Sequence, residues 1–348
     1  MSGGVDSSVA AAILVDQGYD VIGMMLRLWS EPGTDSVNRC CSPEAMAQAR
    51  QVSAQLGIPF YAIDAQDVFF NQVVDFFIDG YTQGITPNPC LRCNRHIRWE
   101  FLLHHALAFG SDFMATGHYA RLRHNNSRIQ LLKAVDREKD QSYVLHVLNQ
   151  DQLAKAVFPL GEYSKSEVRQ LARNYNLPVA DRPESQDLCF ISQGDYREFL
   201  QRNSTLTANG GLILNTEGET LGYHQGLMNY TIGQRRGLGV SSRIPMYVLE
   251  KDQANNTLII GERELLGRDT LWAEDVNWVS IGLPADPFQA QVKIRYKSSE
   301  EPASIYPIDV GKVKIQFDRK INGITPGQAA VFYQDEICIG GGIIYASE

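Results

Sequence analysis

The chain opens Met1-Ser2-Gly3-Gly4-Val5-Asp6-Ser7-Ser8 and passes at once into an alanine-rich apolar stretch, read as a helix over residues 9–16 with Gly18 as its stop. Paired glycines let a backbone approach a phosphate closely. The amides and hydroxyls that follow point at such a group, and the helix N-terminus adds partial positive charge. The residues beyond alternate between strand-like and helix-like runs. Residues 21–26 are continuously apolar, as in a strand covered on both faces. Ser42-Pro43-Glu44 starts a helix that should end at Gly57: a capping hydroxyl, a first-turn proline and an acid at the positive dipole end. A strand over 58–63, helices over 68–78 and 95–109, and a short strand over 113–115 follow. This order predicts an α/β domain with a parallel sheet and helices on both faces.

The pattern changes near residue 205. Short β-rich runs at 212–214, 246–249, 257–260, 289–296, 313–317 and 329–333 are separated by turns such as Glu217-Gly218, Asn255-Asn256 and Pro326-Gly327. Small antiparallel barrels fit this pattern. With 348 residues, and at ~150 residues per domain, the expected division is 1–203, 204–278 and 279–348, a catalytic domain followed by two small β-rich or barrel domains. No apolar run approaches the ~18–20 residues of a membrane span, so a cytoplasmic protein without a membrane partner is expected. The net charge of −8 disfavours non-specific DNA coating, but local basic patches can still bind RNA.

Six cysteines in such a chain point to metal or catalytic use rather than a disulfide scaffold. Cys90 and Cys93 stand three residues apart in Pro87-Asn88-Pro89-Cys90-Leu91-Arg92-Cys93-Asn94, just ahead of the helix expected from Arg95. The first turn of a helix favours thiolate. Cys189 follows about a hundred residues on, in Asp187-Leu188-Cys189-Phe190-Ile191. Cys40 and Cys41 are adjacent, with diverging side chains, and are read as structural; Cys338, between isoleucines, is read as core.

The glycine loop resembles the pyrophosphate loop of the ATP pyrophosphatase (adenine nucleotide α-hydrolase-like) superfamily. In that superfamily the loop follows a buried strand. Here only Met1 precedes Ser2, so the expectation is a chain shortened at its N-terminus by ~5–10 residues, the length of one strand. The resemblance sharpens to the tRNA-specific 2-thiouridylase family on stretches spread along the chain. These are the loop, residues 87–94, Ala115-Thr116-Gly117-His118-Tyr119, Lys139-Asp140-Gln141-Ser142-Tyr143, residues 185–191, Gly233-Gln234-Arg235-Arg236-Gly237-Leu238-Gly239 and Thr325-Pro326-Gly327-Gln328.

That resemblance implies a tRNA-uridine 2-sulfurtransferase that uses ATP to adenylate uridine 34 of the anticodon stem-loop and then thiolates its C2, releasing AMP and pyrophosphate. It implies ATP on Ser2, Gly3, Gly4, Val5, Asp6 and Ser7, with adenine at Leu26 and Gly117 and Mg²⁺ near Asp6. Cys93 matches the nucleophile and Cys189 the persulfide-bearing cysteine, charged by a sulfur-donor protein. Lys139, Asp140, Gln141, Arg295 and Tyr296 match tRNA contacts, with His118 and Gln328 close to the substrate. Cys90 departs from the pattern, since family members carry aspartate there. Three open readings follow. Cys90, Cys93 and Cys189 could bind a [4Fe–4S] cluster with one open iron. They could bind zinc, although no fourth ligand is evident. Or Cys93 and Cys189 could act as a thiol and persulfide pair with Cys90 a bystander. Basic residues at Arg92, Arg95, Arg98, Arg121, Arg123, Arg128, Lys133, Arg235, Arg236, Lys293 and Lys297 are expected to form a phosphate track. Two rival functions remain: an ATP-dependent amide-forming ligase, which needs no cysteines, and a non-catalytic tRNA-binding module.

Overall fold

The structure is a computed structural model that describes residues 1–32, 42–126, 128–183, 188–191, 195–203 and 209–348. Cys40, Cys41 and residues 185–187 of the third cysteine stretch lie outside them. Helix α1 (Val5–Asp16) is buried on nearly every side, as its alanines and valines require. Strand β1 (Gly23–Arg27) pairs in parallel with β2 (Phe60–Asp64), from Gly23↔Phe60 to Arg27↔Asp64. Between them runs α2 (Pro43–Gln55), where Ser42 Oγ accepts from Ala45 N at 3.1 Å and proline occupies the first turn. A second parallel pair joins Met114–Ala115 to Ala156–Val157. Helices of the N-terminal region complete the expected α/β unit.

Two helices are longer than expected. The helix over 66–82 includes a π-helical segment at Phe70–Val74. The next runs continuously over 89–108, with a π-helical segment at Cys93–Leu102. It therefore begins six residues before the expected Arg95, and Cys90 and Cys93 sit inside its first turns rather than ahead of it. The reason is local: Asn88 Oδ1 accepts from Cys90 N at 3.1 Å, and Pro89 stands in the first turn, where its missing N–H costs nothing.

The β-rich half forms two units. A four-stranded sheet, in the order Thr220–His224, Gly211–Leu214, Thr257–Gly261, Tyr247–Asp252, encloses its own core of Ile213, Tyr230, Leu238, Val248, Leu258 and Ile260. The second unit is a closed six-stranded barrel of Gly267–Asn277, Phe288–Lys293, Glu301–Asp309, Lys312–Asn322, Ala329–Gln334 and Ile337–Ser347, closed by pairing between its first and last strands. Closure removes both sheet edges. The strand Gly267–Asn277, on the central side of the expected 278/279 boundary, hydrogen-bonds to the C-terminal strands. The strand expected over 289–296 stops at Lys293, so Arg295, Tyr296 and Lys297 lie in a turn, closed by Ser298 N donating to Arg295 O at 3.1 Å.

The barrel is fused to the α/β unit. An antiparallel hairpin of Ala120–Asn125 and Arg128–Lys133 pairs through Leu131 and Leu132 with Cys338 and Ile337 of the last barrel strand. One buried cluster accordingly runs from Trp99, Leu103, Tyr143 and Leu145 to Val331, Tyr333 and Cys338. Cys338 is buried, as expected.

Candidate active site

The glycine loop forms the mouth of α1. Gly4 is the N-cap in an extended conformation and contributes no side-chain cap to the first-turn amides. Gly3 has φ +68°, and a Cβ there would overlap the Ala45 carbonyl. Ser2 N donates to Ser7 Oγ at 3.1 Å, while Ser8 Oγ donates to Gly4 O at 2.9 Å. Gly117 lies flush against the loop: a Cβ would stand 2.8 Å from Ser7 N and 2.9 Å from the Asp6 carbonyl carbon. A loop with a left-handed glycine, an uncapped helix mouth and a side-chain-free wall fits a polyphosphate.

Asp6 Oδ1 accepts from Lys165 Nζ at 2.6 Å and from Tyr119 OH at 2.9 Å, and the Lys165 ammonium lies 5.6 Å from the centre of the Tyr119 ring. Asp6 would be the residue beside the loop to hold a Mg²⁺ ion, which would neutralise phosphate charge next to the Lys165 ammonium. Arg182 donates to Gly3 O and to Gln48 Oε1. Lys165 and Arg182 were not singled out in the sequence, and Tyr119 was named only as the last residue of the 115–119 stretch. One signal was available for Lys165. It follows Ser164 in a Ser-x-x-Glu capping box, and a cation in the first turn opposes the helix dipole unless something else holds it there.

Cys90 is exposed, and Cys93 and Cys189 are partly buried. Cys93, Cys189 and the expected adenine contact Leu26 all pack against one cluster built on Phe69, Phe77, Ile97, Phe190 and Phe199. Tertiary structure thus brings the two distant cysteines and the end of β1 to the same wall. Among the described residues no three His, Cys, Asp or Glu side chains are grouped so as to hold a metal ion.

His118 is buried, with Nδ1 2.8 Å from Thr116 Oγ1, and its ring meets Phe158 edge-on. Burial, aided by the nearby Arg98 guanidinium, pushes its pKa well below the usual value, so the ring is neutral. Arg98 stands on the helix that carries Cys93, so that helix brings a cation near His118.

The Lys139-Asp140-Gln141 stretch works inward. Asp140 is buried, and its carboxylate accepts from Ala134 N (3.0 Å), Ser142 N (3.2 Å) and Ser142 Oγ (2.8 Å); burial raises its pKa against those bonds. Gln141 Oε1 accepts from Tyr119 N at 2.9 Å, and Gln141 N donates to Tyr119 O at 2.8 Å. Asp140 and Gln141, expected as RNA contacts, use these groups within the fold, and Gln141 holds the tyrosine that bonds Asp6. Lys139 is half-buried, its backbone amide bonded to Asp136.

Arg295, Tyr296 and Gln328 do converge. With Thr86, Thr231 and Thr325 they line a cavity of about 380 Å³. Arg295 Nη2 donates to Thr325 Oγ1 at 2.7 Å, Lys293 Nζ lies 5.9 Å from the Tyr296 ring centre, and Gln328 Nε2 donates to Thr86 O at 2.9 Å.

Three family models match the chain in order. Residues 1–193 match the family described as tRNA methyl transferase HUP domain, residues 197–262 the tRNA methyl transferase PRC-barrel domain, and residues 268–344 the aminomethyltransferase beta-barrel domain. The chain is 43% identical over 351 residues to the tRNA-specific 2-thiouridylase MnmA of Acetivibrio thermocellus, covering 99% of this chain and 97% of that one. It is 47% identical over 363 residues to the protein of the same name from Roseiflexus castenholzii, with the same coverage. Among solved structures, NMN synthetase from Francisella tularensis matches with a TM-score of 0.35 at 20% identity, covering 57% of this chain and 68% of that chain. Identity of this extent along nearly the full length, with three domains matching in order, means that the chain belongs to the tRNA-specific 2-thiouridylase family.

Proposed function

We propose that this chain is an ATP-dependent tRNA sulfurtransferase that 2-thiolates uridine 34, acting in the cytoplasm. The observation that supports the reading is that Cys93, Cys189 and Leu26, at the end of the strand after the phosphate loop, all pack against one apolar cluster.

ATP lies with its phosphates on Ser2 to Ser8 and its adenine toward Leu26 and Gly117. Mg²⁺, where present, would neutralise charge on the phosphates beside Asp6. Uridine 34 must leave its stack to expose C2. Its O2 attacks the α-phosphate, the bond to pyrophosphate breaks, and the base carries AMP as a good leaving group. The terminal sulfur of a Cys189 persulfide attacks C2. Cys93 thiolate attacks Cys189 Sγ and breaks the sulfur–sulfur bond, the terminal sulfur stays on C2, and AMP departs. The Cys93–Cys189 disulfide left behind is reduced by an external thiol, and a persulfide-carrying donor protein recharges Cys189. Neutral, buried His118 can exchange hydrogen bonds there without introducing a second cation.

The test mixes the protein with tRNA, ATP and a persulfide donor and measures 2-thiouridine, AMP and pyrophosphate. Cys93→Ala and Cys189→Ala should abolish 2-thiouridine while pyrophosphate release with tRNA persists. Activity unchanged by both substitutions would sink the proposal and favour an amide-forming ligase. Binding of tRNA and ATP without pyrophosphate would favour a binding module.

A further inference from the structure

The loop that leads into the cysteine helix is held by the barrel. Thr86 is gripped at both backbone polar atoms: its N–H donates to Pro326 O at 3.0 Å, and its carbonyl accepts from Gln328 Nε2 at 2.9 Å. Between those partners, Gly327 has φ +90°, and a Cβ there would stand 2.8 Å from Thr86 O. The turn can therefore lie flush on Thr86 only as glycine. From Thr86 it is two residues to Asn88, which caps the helix at Cys90. The link is stiff. Pro87 and Pro89 fix their own φ, and Pro87 packs so closely on Gly80 that a Cβ there would be 2.6 Å away.

The other side of the same turn faces the cavity. Arg295 Nη2 donates to Thr325 Oγ1 at 2.7 Å, Thr325 Oγ1 donates to Gly323 O at 2.9 Å, and Gln328 N donates to Thr325 O at 3.2 Å. An anionic or base-edge group that engages Arg295 must keep or break its bond to Thr325, and that difference between two states of the turn is what coupling requires. Thr86 Oγ1 is buried, lines this cavity and has no hydrogen-bond partner among the described residues.

We propose that the turn 325–328 is a clasp through which RNA in the Arg295 cavity sets the position of the cysteine-bearing helix, with Gly327 and Gln328 as positioning residues for sulfur transfer. The inference rests on tRNA being the substrate.

The test alkylates Cys93 with iodoacetamide, followed by peptide mass spectrometry, with and without saturating tRNA, and measures tRNA affinity on the same samples. In the wild type, tRNA should change the Cys93 rate by ~5-fold or more, a coupling of the size usual between linked sites. Gly327→Ala should still bind tRNA yet lose that response, with thiolation reduced ~10-fold, since misplacing reacting groups slows chemistry more than binding. Gln328→Glu, should Gly327→Ala fail to fold, sets a carboxylate against Thr86 O at neutral pH and should lose the response too. A wild type that binds no tRNA would overturn the functional reading and this inference with it. Bound tRNA with no alkylation response, or a response equal in wild type and both variants, would overturn the clasp alone.

Discussion

Asp6 acquires its role from two residues more than a hundred positions away, Tyr119 and Lys165. The Lys165 side chain is 12% exposed and that of Asp6 35%, so the ion pair is only partly screened. Hydrogen bonds to charged groups contribute roughly 1.5–3 kcal/mol. Lys165→Met should weaken ATP binding on the order of 10-fold, because the loop loses its anchor; titration calorimetry with ATP checks this, and Lys165→Arg should restore part of it. Two buried histidines set a pH dependence. His118 lies well below its usual pKa, and His146, buried with Nδ1 at 2.7 Å from Tyr143 O, is pushed down to about 4. The unfolded chain binds these protons at ~6.5 and the folded chain at lower pH, so stability is complete above 6.5 and is lost as pH falls toward 4. At pH 5 the loss from His146 is about 2 kcal/mol. Urea denaturation at pH 7 and pH 5 should show it, and His146→Gln should flatten the slope.

At the scale of elements, the helix over 89–108 joins chemistry to framework. Its start depends on one cap, Asn88 Oδ1 to Cys90 N. Asn88→Ala should cost about 1 kcal/mol, and hydrogen exchange should show earlier opening at Cys90 to Cys93. The apolar period was legible from Arg95, but the cap and proline before it were read as loop, which put the thiols outside the helix. The π-helical segment Cys93–Leu102 was not legible, because a five-residue hydrogen-bond step leaves no mark on a short apolar pattern. The strand expected over 289–296 failed for a related reason. Alternating basic residues suit a strand, yet Ser298 Oγ and the Arg295 carbonyl close a turn, and the turn places Arg295 and Tyr296 on the cavity.

The whole molecule is held by shared cores. The cluster from Trp99 and Tyr143 to Tyr333 and Cys338 joins the α/β unit to the barrel, whereas the central sheet has a core of its own. Calorimetry should therefore show the α/β unit and the barrel melting together, with the central unit separable. A chain ending at residue 266 should leave its N-terminal unit destabilised, because Val279, Ala329, Val331, Tyr333 and Cys338 are gone from that shared core. The sequence by itself determined the local things: the glycine loop, whose conformation only those residues allow; the α/β order, from periodicity and caps; and the two cysteine stretches. These depend on near neighbours along the chain. Only tertiary structure decided that Asp140 and Gln141 bond within the fold, that Lys165 meets Asp6, that Cys93 and Cys189 pack on one apolar cluster, and that a barrel turn grips the loop before the cysteines. Each depends on contacts between residues far apart in the chain, and such contacts are set by packing, which no local pattern encodes.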